Sequence, residues 1–328
     1  MIRVNNELLS EYKFIDLFCG IGGFHIAMSS FGAKCVFACD IDPEVKKVYK
    51  ENFNMNPQGD ITAIEAKQIP SHDIICAGFP CQPFSISGDQ AGFNDAKGRG
   101  KLFFEIVKIA QLHQPQLILL ENVRNFEKHD EGRTLQRVHS ELNNAGYTVF
   151  SRVLCASSYG VPQARKRIYI VAFRKNLDVK SFNFPDALAE TKVLGDILIE
   201  DGENSVVGNY YVTRQYEINK THNIRSGSVE RIGQIGQGRQ GERIYSVFGQ
   251  AVTLSSQGGG LGGRTGMYLM DNNSVRKLYP RECARLMGFP DNFILADTQG
   301  KNYKQFGNSV VVDVLQYIIQ EAAKYLKK

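Results

Sequence analysis

Cys81 stands in Gly78-Phe79-Pro80-Cys81-Gln82-Pro83-Phe84-Ser85, a thiol between two prolines directly after an apolar run. A cysteine taken at random is more often buried and inert. This one has a stiffened backbone, and a carboxylate and a guanidinium are expected beside it. The carboxylate is Glu121, in Glu121-Asn122-Val123, which follows the apolar run of residues 117–120. The guanidinium comes from Gln163-Ala164-Arg165-Lys166-Arg167, just ahead of a third apolar run. A free thiol titrates near ~8.5, and a neighbouring arginine favours its thiolate. Thiolate, acid and arginine converging on one pocket make a nucleophilic reaction centre.

A second constellation precedes it. Asp16-Leu17-Phe18-Cys19-Gly20-Ile21-Gly22-Gly23 ends the first apolar run with the spacing G-x-G-G, not the G-x-G-x-x-G of dinucleotide enzymes. Glycines there let a ligand approach the backbone at a helix N-terminus. Asp40 follows Gly20 by twenty residues, at the end of the second strand, where an acid accepts hydrogen bonds from ribose hydroxyls. Asp60-Ile61 ends a third unit and could take the exocyclic amine of a base. The set predicts a nucleoside-bearing cofactor. The plainer alternative is a tight turn with two solvated carboxylates.

These residues must be held by strands. Residues 14–18, 35–39, 73–77, 117–120, 147–154 and 167–173 read as short apolar or β-rich runs. Helical patterns alternate with them, around residues 44–52, 102–112 and 134–145. Continuous apolar strands separated by helices argue for a doubly wound parallel sheet, with ligands at the carboxyl ends of the strands. Residues 281–287 read as helical, and residues 310–326 as a terminal helix. The expected organisation is an α/β unit over residues 1–195, an inserted segment over 196–280, and a hinge and returning helix over 281–328.

The chain has 328 residues, 43% hydrophobic and 22% charged, a globular composition. Its seven cysteines lack any C-x-x-C pair, and its six histidines lack metal-ligand spacing, so reduced thiols and no metal are expected. No secretory signal or membrane-length apolar run is visible, which points to a cytoplasmic protein. The net charge is +5. Between Ser205 and Pro280 lie nine basic and four acidic residues, which accounts for the whole excess, and 12 of the 31 glycines fall between Ser226 and Gly266. A basic, Gly-rich, helix-poor segment suits a surface facing an anionic polymer. A solvated irregular insertion is the alternative.

Taken in order, DLFCGIGGF, GFPCQPFS, ENV, QARKRIYIV, RECARLMGFP and QFGNSV resemble the motifs of the cytosine-C5 DNA methyltransferases, over nearly the whole chain. The resemblance implies an S-adenosylmethionine-dependent, Rossmann-like doubly wound α/β domain. It also implies a smaller, Gly-rich, mostly β/loop target-recognition domain and double-stranded DNA as substrate. By this likeness Cys81 attacks cytosine C6, Glu121 contacts N3 and the exocyclic amine, Arg167 orients base and acid, and Arg165 holds the attached backbone. Phe18, Gly20, Gly22, Gly23, Asp40, Ile41, Asp60, Ile61, Phe79, Leu102, Asn308 and Val310 would surround the cofactor. A bacterial member that the chain resembles has a tryptophan stacking on adenine where Ile41 stands, and this chain has no tryptophan, so the resemblance implies aliphatic adenine packing on that side.

Residues 85–101 resemble the family's mobile loop that closes over DNA, with Ser85 and Ser87 facing the duplex and Ser87 entering the gap left by a flipped base. Gln240 would fill that gap from the other groove, Arg243 would read guanine, and Gln257 and Gly259 would lie nearby. Residues 238–246 resemble the recognition loop of a member that modifies GCGC, which makes that site, or a related C-G site, the expected target. A monomer paired functionally with a restriction endonuclease is the expected biology. An RNA (tRNA) cytosine-C5 methyltransferase, a nicotinamide-dependent oxidoreductase and a catalytically dead DNA-binding module are the competing readings. The oxidoreductase does not need Pro-Cys-Gln with Glu-Asn-Val, and a dead scaffold does not need intact Cys81, Glu121 and Arg167.

Overall fold

The structure is a computed structural model that describes residues 4–80, 102–199, 210–220 and 224–327. Cys81, Ser85 and Ser87 lie outside the described residues. The chain forms two compact units: Met1–Leu154 with Lys166–Asp186 and Val314–Lys328, and Cys155–Arg165 with Ala187–Asp313.

In the first unit the order is β1 (Lys13–Leu17), α1 (Gly23–Ser30), β2 (Lys34–Cys39), α2 (Pro43–Phe53), β3 (Ile74–Ala77), α3 (Leu102–His113), β4 (Leu117–Val123), α4 (Arg133–Asn144), β5 (Tyr147–Cys155) and β6 (Lys166–Arg174). They build one sheet in the order β2-β1-β3-β4-β6-β5. β1 runs parallel to β2 and β3, and β3 to β4. The doubly wound α/β expectation is borne out, but the sheet is not wholly parallel, because β6 runs antiparallel to β4. The reason lies in the link between β5 and β6, residues 156–165, which is too short for the crossover that parallel neighbours need.

The strands are apolar throughout because both faces are covered. Ile15, Leu17, Ile75, Ile118, Leu120, Ile168 and Ile170 pack with Phe103, Ile106 and Val107 of α3 and Val138 and Leu142 of α4. Each such side chain contributes about 1.5–3 kcal/mol when fully buried, so the polar residues Asp16, Glu121 and Asn122 are confined to the strand ends, within the last three positions of each. There the helices also start: the Asp42 side chain accepts the Glu44 N–H at 3.0 Å and Pro43 opens α2.

The second unit holds β7 (Tyr216–Ile218), β8 (Arg231–Ile235), β9 (Arg243–Ser246), β10 (Met267–Leu269) and β11 (Val275–Arg276) in a five-stranded sheet ordered β11-β10-β9-β8-β7. It is mostly β and loop, as the sequence predicts. Its core is small: Ile232, Ile235, Ile244, Met267 and Val275. α5 (Pro280–Arg285) and α6 (Gln299–Asn308) follow. The sequence reading missed α6, whose Gly300 and Gly307 weaken any helical signal. The predicted terminal helix is α7 (Val312–Ala323), tied to α1 within the first unit by Gln316 Nε2 donating to Ser30 Oγ at 3.0 Å. Among the described residues, no helix is long and apolar enough to cross a membrane.

The small core of the second unit is braced by a charge pair. Arg276 and Glu282 are 1% and 0% exposed, with Nη1–Oε2 and Nη2–Oε1 both at 2.8 Å. Glu282 also accepts the N–H groups of Tyr279 at 2.7 Å and Ile199 at 3.0 Å, and the guanidinium lies 4.2 Å from the Tyr279 ring centroid. Breaking a buried pair strands one charge and costs about 3–5 kcal/mol, whereas replacing both partners by apolar groups is often neutral. Glu282→Ala is therefore expected to lower denaturant stability by that amount, and Arg276→Met with Glu282→Leu by much less. An unchanged unfolding midpoint for Glu282→Ala would refute the bracing role.

Candidate active site

β1 ends in a turn that is left-handed at Phe18, Gly20 and Gly22, with φ of 54°, 53° and 89°. Gly22 is obligatory, because a Cβ there would lie 2.1 Å from the Phe53 ring. At Gly20 a Cβ would meet nothing within 4 Å, so the backbone borders open space. The Gly20 N–H donates to Asp40 Oδ2 and the Asp42 N–H to Asp40 Oδ1, each at 2.9 Å. These bonds lash the carboxylate to the turn. Burial raises its pKa, and the two backbone donors oppose the rise. The next side chain, Ile41, is 73% exposed, an apolar platform beside that acid. A glycine turn facing space, a fixed carboxylate and an exposed aliphatic group suit a nucleoside.

Asp60, expected to end a third unit, stands at a turn between α2 and β3. It caps a single 3-10 turn, Ile61–Ala63, accepting from Thr62 N–H at 2.9 Å and Thr62 Oγ1 at 2.8 Å, with Ile61 buried beside it. Beneath the glycine turn lies a group the sequence reading did not single out. Asp16 is fully buried in β1, its Oδ2 accepting from Tyr49 Oη at 3.5 Å. Tyr49 Oη lies 2.7 Å from His25 Nδ1, and the His25 ring stacks on Phe53 with centroids 4.0 Å apart. Burial, with the Asp40 charge adding to it, holds the Asp16 carboxyl well above the ordinary carboxylate range, and burial pushes His25 down to about 4. The signal was present: an acid one residue inside an apolar strand.

β4 does not stop before Glu121, as its apolar run suggests, but carries Glu121, Asn122 and Val123 within the strand. Pairing with β6 sets Glu121 opposite Tyr169 and Val123 opposite Arg167, so Arg167 is the diagonal neighbour of Glu121 on one face. Arg167 Nε lies 3.2 Å from Glu121 Oε1, and both side chains are mostly buried. Asn122 Nδ2 donates to the Phe79 carbonyl at 3.3 Å, while its Oδ1 accepts the Val123 N–H at 2.9 Å. Phe79 is in turn buried against Phe103 and Phe126. The backbone two residues before Cys81 is thus tied to the strand that carries Glu121. The Glu-Asn-Val motif by itself does not show this anchoring role for Asn122. Leu102, half-buried, opens α3.

In the second unit the Arg165 guanidinium is buried on three peptide carbonyls: Nη1 donates to Leu254 O at 3.0 Å, and Nη2 to Gly307 O at 3.0 Å and Ser309 O at 2.7 Å. Asn308 ends α6 exposed, and Val310 is buried. Gln240, Gln257 and Gly259 are exposed and Arg243 is half-buried, its Nε 3.4 Å from the Gly238 carbonyl. The loops that carry them are stitched together. A Cβ at Gly241 would lie 2.2 Å from Gly259 O, and the Gly262 N–H donates to Gly241 O at 2.9 Å. Among the described residues no group of three His, Cys, Asp or Glu could hold a metal ion.

A family model described as C-5 cytosine-specific DNA methylase matches residues 12–324. The chain belongs to this family. It is 46% identical over 320 residues to the type II methyltransferase M.HhaI of Haemophilus parahaemolyticus, covering 97% of this chain and 96% of that one. It is 40% identical to the type II methyltransferase M.HpaII of Haemophilus parainfluenzae, covering 95% of this chain and 89% of that protein. Among solved structures it resembles the S. pombe Dnmt2 methyltransferase (TM-score 0.68, 21% identity, 94% of this chain and 96% of that one). It also resembles the Entamoeba histolytica methyltransferase EhMeth (TM-score 0.74, 19% identity, 97% of this chain and 99% of that one). Those two likenesses speak for the methylase fold alone. The enzyme class of this C-5 methylase is DNA (cytosine-5-)-methyltransferase.

The buried acid under the glycine turn has a measurable consequence. A carboxyl whose folded pKa lies above its unfolded value binds its proton more tightly in the folded state. Its contribution is present at low pH and lost as pH rises past the ordinary carboxylate range. Asp16→Asn should therefore lose less stability than the parent between about pH 5 and about pH 8. Thermal melts at both ends of that window check it, and parallel pH profiles would show that Asp16 does not titrate as described.

Proposed function

We propose that this methylase flips a cytosine out of duplex DNA and methylates C5, with S-adenosylmethionine as the methyl donor and Cys81 as the nucleophile. The observation that carries the reading is the Glu121–Arg167 pair, 3.2 Å apart and shielded from water, with Glu121 on a strand tied through Asn122 to the backbone just ahead of Cys81. A stacked base cannot reach such a pocket, so the target must leave the duplex. The Cys81 thiolate adds to C6, and the C5–C6 π pair moves onto C5. Glu121 holds N3 and the exocyclic amine, stabilising the ring as sulfur adds, and Arg167 holds the acid and the base in register. When bound, the cofactor supplies an electrophilic methyl group. Loss of the C5 proton then restores the double bond and expels the Cys81 thiolate.

Asp40 is assigned to the ribose, Asp60 to the adenine amine, Phe18 and Ile41 to the adenine faces, and Gly20, Gly22, Gly23, Asn308 and Val310 to the methionine part. Ile61, Phe79 and Leu102 line the same region. Residues 196–280 are assigned to target recognition between the catalytic segment 1–195 and the returning segment 281–328. In them Gln240 fills the vacated space, Arg243 reads guanine, and Gln257 and Gly259 lie along the duplex with Ser85 and Ser87 from the closing loop. GCGC, or a related C-G site, is the proposed target. A cytoplasmic monomer, serving a restriction endonuclease of the same specificity, is the proposed setting.

Three experiments test this reading. Cys81→Ser should abolish methyl transfer to duplex DNA while DNA binding persists, because an alcohol is a far weaker nucleophile at neutral pH; near-normal turnover would remove Cys81 from the mechanism. Bisulfite sequencing of plasmid from expressing cells should place methylation at C-G-containing sites. Arg243→Ala should lose about 1–3 kcal/mol of base discrimination. Methylation confined to sites without a C-G step would refute the target, not the chemistry.

A further inference from the structure

We infer that Arg165 is a positioning residue that couples target reading to cofactor capture, acting through the backbone it braces. The inference rests on the proposed function above. Its ground is the way one buried cation, 2% exposed, joins two segments within the second unit. On one side Nη1 holds the Leu254 carbonyl, three residues before Gln257 and five before Gly259, both assigned to DNA. On the other, Nη2 holds the carbonyls of Gly307 and Ser309, which flank Asn308. The Asn308 side chain stays exposed while the peptides on either side of it are pinned.

The two segments also touch directly. A Cβ at Gly307 would lie 2.2 Å from Ser256 N and 2.3 Å from the Ser255 carbonyl carbon. Only glycine lets these backbones meet, and at that spacing neither can shift without pushing the other. The strap that carries Arg165 is fastened to the same loop. Ala164 N–H donates to Ala251 O at 2.9 Å, Thr253 Oγ1 to Ala164 O at 2.7 Å, and Leu254 N–H to Gln163 Oε1 at 3.0 Å. Gln163 is itself fully buried, its Nε2 donating to Leu286 O at 2.7 Å. A planar guanidinium can serve three carbonyls in two directions from one fixed plane, which a lysine ammonium on a flexible stem cannot reproduce. Displacement of the Thr253–Ser256 loop by DNA is therefore passed to the peptides around Asn308, and a cofactor seated on Asn308 holds the loop in its reading position. Coupling of this kind is reciprocal between the two ligands.

The test measures binding, not turnover, on the full chain. S-adenosylhomocysteine affinity is titrated alone, with saturating GCGC duplex, and with a duplex lacking any C-G step. The parent protein should bind the nucleoside about fivefold or more tightly when the GCGC duplex is present, within the usual range of such coupling. The other duplex should give no such gain. Arg165→Lys should bring that ratio to near one, and any affinity it loses without DNA cancels in the ratio. Thr253→Val should lower the ratio and Thr253→Ser should keep it, which decides the matter should the lysine variant fold poorly. A ratio unchanged in Arg165→Lys or in Thr253→Val, or a parent protein showing none, would overturn the coupling. Absence of any S-adenosylhomocysteine binding by the parent would instead overturn the cofactor reading on which the coupling rests.

Discussion

Strand β6 pairs antiparallel with β4 through seven residue pairs, from Leu117 opposite Phe173 to Val123 opposite Arg167. That pairing carries the chemistry of the first unit. Slipped by one residue, it would turn Arg167 to the other face of the sheet, and reversed it would carry Arg167 to the far end of β4; either way Glu121 would be a mostly buried carboxylate without its guanidinium. The pairing also ends at the residues that matter: beyond Val123 the strand gives way to a turn, and before Lys166 the chain belongs to the second unit. Arg167 thus sits in the last pair of the ladder and Glu121 two pairs inside it, both shielded from bulk water. There a charge pair keeps more of its strength than at the surface.

The rest of the sheet edge follows the same economy of position. Asp40 is fixed by two backbone donors, one from the glycine turn and one from the start of α2, so its carboxylate needs no cationic partner to stay in place. Asn122 faces away from Glu121 and secures the chain ahead of Cys81. Both side chains satisfy backbone groups where strands stop and ladder bonds run out. What looks like a set of binding residues is, first, the means by which the ends of the strands are closed.

The second unit solves a different problem with a smaller core. Its strands are two to five residues long, too short to be stable through their own ladders. Stability comes instead from buried ionic and glycine contacts. Glu282, paired with Arg276, pins two backbone points, Arg165 gathers three carbonyls, and Gly241 against Gly259 and Gly307 against Ser256 allow backbones to touch. Glycine-rich sequence here serves close packing as well as loop freedom, and it leaves Gln240, Gln257 and Gly259 exposed on loops that are themselves held.

By itself, the sequence determined the strand and helix alternation of the first unit. Continuous apolar runs record burial on both faces, and helical spacing records burial on one. It also marked the glycine turn, Asp40, and the motifs around Cys81, Glu121 and Arg167, because those depend on residue type at short separation. It did not decide the direction of β6, the place of Asp60 on a turn, α6, the buried Asp16–Tyr49–His25 chain, or the carbonyls that hold Arg165. Asp60 and α6 are local features with weak local signals, a lone capping acid and a helix carrying two glycines; each of the others joins residues far apart in the chain. Local propensity and periodicity carry no information about such partners. They are set when the sheet registers and the loops close, and only then do desolvation and hydrogen-bond geometry assign an acid, an amide or a guanidinium its task.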